Sequence, residues 1–234
     1  MGHRALTVLP FGAVTHGETG GSVWSIVVGA GSGQRFGGLK QYEMLGDRRV
    51  IDHSIAVATA ASDGVVLVVP ADDADREGGV AGGATRTASV LAGLVAVPAD
   101  AEVVLVHDAA RPFADGEIFT RVIAAVRAGA DAAIPGVAVS DTIKVVETHS
   151  DGSIRVGSTP DRSTLVAVQT PQAFRADRLR EAHRYAVDTS ATATDDAALV
   201  EAIGGVVVVV EGSERNRKIT TPDDLNWARG QIDS

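Results

Sequence analysis

With 234 residues, 45% of them hydrophobic, and no cysteine, the chain can build one large core and excludes disulfide scaffolds and thiolate zinc sites. A formal net charge of −9 and an aromatic content of only 4% exclude a nucleic-acid partner, which takes a positive footprint and stacking rings. A small anionic substrate stays open, because a site can be locally basic on an acidic protein.

Residues 1–22, with Gly12, Gly17, Gly20 and Gly21, read as a flexible N-terminal extension with no adequate signal-peptide core. No apolar run approaches the ~20 residues of a membrane span, so a cytoplasmic protein with no membrane partner is expected. Residues 23–234 read as a single domain. Trp24–Val28 predicts a buried strand, and Gly29–Gly38 is too glycine-rich for a regular element. Helical spacing runs over Val50–Ser62. Val65–Val69 is a continuous apolar strand stopped by Pro70, Thr85–Val97 is a helix, and Val103–Val106 is another buried strand. Ala114–Ala128 is a helix capped by Asp115, followed by a short strand at Ala132–Ile134. Strands apolar on both faces, alternating with helices, imply an α/β fold with a mainly parallel, Rossmann-like sheet covered on both sides. Such sheets bind ligands at the carboxyl ends of their strands.

Residues 137–168 break that alternation. Val137–Val146 and Ser153–Val168 read as extended segments around a turn at Ser150-Asp151-Gly152, a β-arm projecting from the sheet. Gln169–Gln172 reads as a turn opening a helix over Asp177–Val187. A helix at Thr194–Ile203, a strand at Val206–Val210 and a helix at Pro222–Arg229 complete the chain.

Only three lysines occur, Lys40, Lys144 and Lys218, against 18 arginines, and each lysine sits in a phosphate-type motif. An ammonium is a compact, mobile point charge suited to a phosphoryl group in transit. The loop Gly29-Ala30-Gly31-Ser32-Gly33-Gln34-Arg35 reads as a phosphate cradle or as a tight strand–loop connection. Arg35 and Lys40 beside it favour the cradle. It is neither a P-loop nor a complete dinucleotide fingerprint, whose third glycine falls on Gln34. Asp108, in His107-Asp-Ala-Ala-Arg-Pro112, ends a strand and reads as a Mg²⁺ ligand steadied by Arg111, or as a structural Asp–Arg pair. Gly82–Ser89 is a glycine turn entering a helix, either an anion or base contact or an ordinary helix start. Ser140–Lys144 and Ser158–Arg162 offer hydroxyls and cations, as phosphate contacts or as solvated turns. Thr194-Asp-Asp196 reads as a helix N-cap, and His107 as a packing residue that orients Asp108.

In this order, Lys40-Gln-Tyr42, His107–Pro112, Asp141-Thr142, Asp161-Arg162, Thr170-Pro-Gln172 and Lys218-Ile-Thr220 carry a family likeness. From about Val23 to Arg229 the chain resembles the 2-C-methyl-D-erythritol 4-phosphate cytidylyltransferases of the non-mevalonate isoprenoid pathway. The resemblance implies a nucleotidyltransferase sheet with a β-arm exchanged in a homodimer, and it implies CTP, a sugar-alcohol phosphate and Mg²⁺. By similarity Arg35, Lys40 and Lys218 are catalytic, and Ala30, Gly31, Gly33, Gly83 and Ser89 bind the nucleotide. Asp108, Arg111, Thr142, Arg162 and Thr170 bind the sugar phosphate, with Asp108 also at the metal and Thr142 and Arg162 arriving from the partner's arm. The family loop opens Pro-Ala-Ala-Gly where this chain has Val28-Gly-Ala-Gly31, its lysine follows Pro where this chain has Leu39, and Ala84 replaces a frequent acid. Ala109-Ala110 favours methylerythritol phosphate over the ribitol phosphate of the sister family. A non-catalytic nucleotide-binding module is the reading from another class.

Overall fold

The computed structural model describes residues 21–191 and 193–232. The expected N-terminal extension lies outside the described residues except for Gly21 and Ser22. The Ser22 carbonyl already accepts from the amides of Glu102 and Val103.

The chain opens with β1 (Val23–Val28), a single turn of 3-10 helix at Lys40–Tyr42, and a small ribbon of β2 (Met44–Leu45) with β3 (Arg48–Arg49). Then come α1 (Val50–Ala61), β4 (Gly64–Val69), α2 (Ala74–Glu77), β5 (Val80–Ala81), α3 (Arg86–Ala96), β6 (Val103–Asp108), α4 (Gly116–Arg127) and β7 (Ala132–Ala138). The remainder is β8 (Val145–Thr148), β9 (Ile154–Ser158), β10 (Val166–Val168), β11 (Gln172–Arg175), α5 (Ala176–Thr189), α6 (Asp196–Ala202), β12 (Val207–Glu211) and α7 (Pro222–Ile232).

Eight strands form the main sheet in the order β10-β7-β11-β6-β1-β4-β5, with β12 on β7. Pairings β6–β1, β1–β4, β4–β5 and β7–β12 are parallel, while β10 and β11 run antiparallel to their neighbours. Strand alternation sends Ile26, Val104 and Val106 to one face, where α3, α5 and α6 supply Val90, Leu94, Leu179 and Leu199. It sends Val27, Val103 and Leu105 to the other face, against Ile51 of α1 and Phe119 and Val122 of α4. All six residues of β6 are buried, the pattern of a strand covered on both sides. A third cluster of Leu45, Val50, Ile219, Leu225 and Ala228 packs α7 beside the β2–β3 ribbon.

Two expectations are corrected. Gln169–Gln172 does not open a helix directly: after the cis Thr170–Pro171 bond, Gln172–Arg175 is a strand between β6 and β7. Burial of Ala173 and Phe174, both 0% exposed, decides this short segment. The extended region 137–168 is also divided. Only β8 and β9 form the separate two-stranded hairpin, and Val166–Val168 pairs with β7 in the main sheet.

Candidate active site

The carboxyl ends of β1, β4 and β6 lie side by side, with Val28 in register with Val68 and Asp108. The loops leaving them make the first cavity, of about 390 Å³. One wall is the glycine loop, held at its root by Gly29 N–H donating to the Val68 carbonyl at 2.7 Å. Gly33 lies at φ +65°, and a Cβ there would meet the Gly38 carbonyl oxygen at 1.8 Å, so the loop folds this tightly only with glycine. The opposite wall is the turn into α3. Thr85 caps that helix by accepting from Ala88 N–H, and Gly83 N–H donates to the Ser89 hydroxyl at 3.1 Å. A Cβ on Gly82 would strike the Ala30 Cβ at 2.2 Å, so the two walls touch. Ala30, Gly31, Gly33, Gly83, Ser89 and Lys40 all line this cavity.

A second cavity of about 250 Å³ opens between β6, the Gln169–Thr170 bend and the start of α6. Arg111, Thr170, Thr194 and Asp195 line it. The Thr170 hydroxyl accepts from Asp108 N–H at 3.0 Å and sits 3.2 Å from His107 Nδ1. Buried Asn216 donates to the Thr170 carbonyl, and Arg111 donates to the Asn216 carbonyl at 2.7 Å. Ile219 N–H donates to the Ala110 carbonyl. These bonds draw the β12–α7 loop, and Lys218 with it, over the end of β6.

Arg86, Asp108 and Lys218 line both cavities. Asp108, 7% exposed, accepts from Lys218 Nζ at 2.6 Å and from Arg86 Nε at 3.4 Å, with Arg111 Nε at 3.9 Å. Burial pushes its carboxyl up, but Lys218, Arg86 and Arg111 outweigh that and hold it well below the usual carboxylate range. Lys40 is lowered by its own burial and by the charges of Lys218 and Arg35. Burial likewise lowers Arg111. The site therefore gathers Lys40, Lys218, Arg86 and Arg111 near the ionised Asp108, inside a protein of net charge −9.

Most sequence-predicted residues converge here, and three do not. Arg35 is exposed and lines neither cavity, although its charge reaches Lys40. Thr142 and Arg162 are exposed near the hairpin and line neither cavity; Arg162 donates to the Ser140 carbonyl. Asp108 is paired with cations, and among the described residues no group of three His, Asp or Glu could hold a metal. Within Thr194–Asp196, the cap is Asp195, which accepts from Ala198 N–H. Asp196 is fully buried and pairs with Arg86 and His183. Sequence reasoning passed over Arg86. Its signal was a cation on the first turn of a helix, where the macrodipole disfavours it unless an anion stands opposite.

Residues 23–233 match the family model for 2-C-methyl-D-erythritol 4-phosphate cytidylyltransferase. A 2-C-methyl-D-erythritol 4-phosphate cytidylyltransferase of Syntrophotalea carbinolica is 42% identical over 232 residues, covering 91% of this chain and 97% of that protein. A bifunctional enzyme IspD/IspF of Oleidesulfovibrio alaskensis is 40% identical over 227 residues, covering 86% of this chain but 56% of that protein. The chain thus spans about half the length of its bifunctional relatives. The crystal structure of 2-C-methyl-D-erythritol 4-phosphate cytidylyltransferase from Thermus thermophilus superposes with a TM-score of 0.76 at 33% identity, covering 89% of this chain and 98% of that one. The match over nearly the whole domain, together with a site built from the predicted motifs, leads to one statement: the chain belongs to the 2-C-methyl-D-erythritol 4-phosphate cytidylyltransferase family.

Proposed function

We propose that the chain joins CTP to 2-C-methyl-D-erythritol 4-phosphate, giving 4-diphosphocytidyl-2-C-methyl-D-erythritol and pyrophosphate for isoprenoid synthesis. The observation that carries this reading is the pair of cavities meeting at Asp108 and Lys218. The glycine-lined cavity takes the nucleotide, and the cavity beside Arg111 and Thr170 takes the sugar-alcohol phosphate. An oxygen of the phosphate monoester attacks the α-phosphorus of CTP in line. A new P–O bond forms, the α–β bridging P–O bond breaks, and its electron pair leaves with pyrophosphate. The monoester is already anionic, so the work is to gather anions and spread the charge of the transition state.

Lys40 stands on the nucleotide wall and offsets charge on the triphosphate, with Arg35 contributing its field from the loop's outer side. Lys218 reaches the junction and holds the attacking phosphate beside the α-phosphate. Backbone amides of Ala30–Gly33 wrap the phosphates, and the Gly83–Ser89 turn meets the base. Mg²⁺ commonly binds through one or two carboxylates, with phosphate and water filling its other positions. Asp108, the carboxylate that both cavities share, would be the single protein ligand, exchanging its contacts with Lys218 and Arg86 for the ion. Bound Mg²⁺ supplies charge neutralisation on the phosphates. Lys218, Arg86 and Arg111 keep Asp108 ionised, hence able to serve.

The homodimer is part of the same reading. The hairpin exposes Val145, Val146, Ile154 and Val156, at 48%, 54%, 69% and 60% exposure, with Ile143 beside them. Such a run of apolar side chains on a projecting arm fits docking on a second copy. That docking delivers Thr142 and Arg162 to the partner's sugar-phosphate cavity. The test is pyrophosphate release from CTP and Mg²⁺ on adding 2-C-methyl-D-erythritol 4-phosphate. Turnover is expected, and a folded, CTP-binding protein that releases none would overturn the reading.

A further inference from the structure

Arg86 reaches the junction of the two cavities and is held there by buried charge. Its Nη1 donates to Asp196 Oδ2 at 2.5 Å, and its Nε donates to Asp108 Oδ1 at 3.4 Å. The other oxygen of Asp196 is 3.0 Å from His183 Nε2. Asp196 is 0% exposed and His183 1% exposed, while the Arg86 side chain keeps 25% of its surface open. Three elements thus meet at the Asp196 carboxylate: α3 carries Arg86, α5 carries His183, and α6 carries Asp196 itself.

A buried carboxylate is a costly way to cap or staple helices, because apolar residues fill such a space at less expense. Asp195 already caps α6, so Asp196 is not needed there. A planar fork fixed at two of its nitrogens is well suited to present the rest of its face to phosphate oxygens in a set geometry. Arg86 is also the cation at the junction that approaches from the α3 side, opposite the β12–α7 loop that brings Lys218.

We propose that Arg86 contacts the phosphates of both substrates at the junction, and that Asp196, braced by His183, is the positioning residue that aims it. This rests on the cytidylyltransferase reading. Asp196 takes Arg86 Nη1, so the guanidinium meets Asp108 through Nε alone and the rest of its face stays open. The contact strengthens as charge moves between the two phosphates, so it bears on turnover more than on binding either substrate.

The test is steady-state kinetics of wild type, Arg86→Lys and Asp196→Asn with CTP, Mg²⁺ and 2-C-methyl-D-erythritol 4-phosphate, alongside thermal melts. Arg86→Lys keeps a charge opposite Asp196 but loses the fork. Its kcat is expected to fall on the order of 10²-fold, with both KM values within about threefold of wild type. Asp196→Asn keeps shape and an acceptor but removes the anchoring charge, and its kcat is expected to fall about tenfold in the same pattern. A folded Arg86→Lys protein with wild-type kcat overturns the proposal. So does a change in melting temperature alone, or loss of fold in both variants, since either assigns the set to helix packing. A wild-type protein that turns over neither substrate removes the underlying reading instead.

Discussion

Burial alone would push the Asp108 carboxyl up, and the cations around it reverse that direction. On the proposed function, that balance predicts a Lys218 dispensable for folding but not for chemistry. Its side chain is 37% exposed, so the ion pair contributes at most about 1 kcal/mol to stability, and Arg86 and Arg111 still compensate Asp108 without it. Lys218→Ala should melt near wild type while losing on the order of 10²–10³ in kcat. Wild-type turnover in that variant, read by pyrophosphate release, would contradict its role. His107 behaves in the opposite sense. It is fully buried against Phe119, and burial lowers it to about 4 from an ordinary 6.5. The unfolded chain takes up that proton below pH 6.5, and the folded chain resists until about pH 4. Stability is therefore complete above pH 6.5 and falls as pH drops towards 4, by on the order of 3 kcal/mol. Melting temperatures across that window should fall steeply for wild type and less for His107→Gln. Parallel slopes would show that His107 is not the group responsible.

Among the elements, the glycine loop carries the clearest local demand. Gly33→Ala combines an unfavourable positive φ with a collision against the Gly38 carbonyl, so the loop must open. Because the loop sits at the sheet's rim, the fold should survive while CTP affinity drops about tenfold or more, measured by titration calorimetry. Unchanged affinity would mean that the loop does not cradle phosphate. This loop, β1 and β6 were legible in sequence because a strand buried on both faces leaves a continuous apolar run and the glycines mark its end. β11 was not legible. Its four residues carry no period, and its burial comes from β6 and β7, which flank it. Nor was Val166–Val168 separable from the hairpin, because strand propensity does not say which partner a strand pairs with. The Arg86–Asp196 pair escaped for a related reason: its members lie 110 residues apart, and only the packing of α3 against α5 and α6 brings them together. Lys40, Asp108 and Lys218 were recoverable because each stands in a motif of its own.

For the whole molecule, the single chain leaves Thr142 and Arg162 away from both cavities, so the reading requires a second copy. Val146→Glu places a charge on the apolar face of the hairpin, where burying it in an interface costs several kcal/mol. Sedimentation velocity should show a dimer for wild type and a monomer for the variant, with turnover lost alongside. A monomeric wild type with full turnover would remove the shared site. The central claim, that two cavities meeting at Asp108 and Lys218 join a cytidine nucleotide to a particular sugar phosphate, is tested most directly by substrate choice. Pyrophosphate release should be measured with CTP and Mg²⁺, adding 2-C-methyl-D-erythritol 4-phosphate or ribitol 5-phosphate. Release with the first and little with the second is the expected result. Release only with ribitol 5-phosphate, or with neither in a folded protein that binds CTP, would contradict the account.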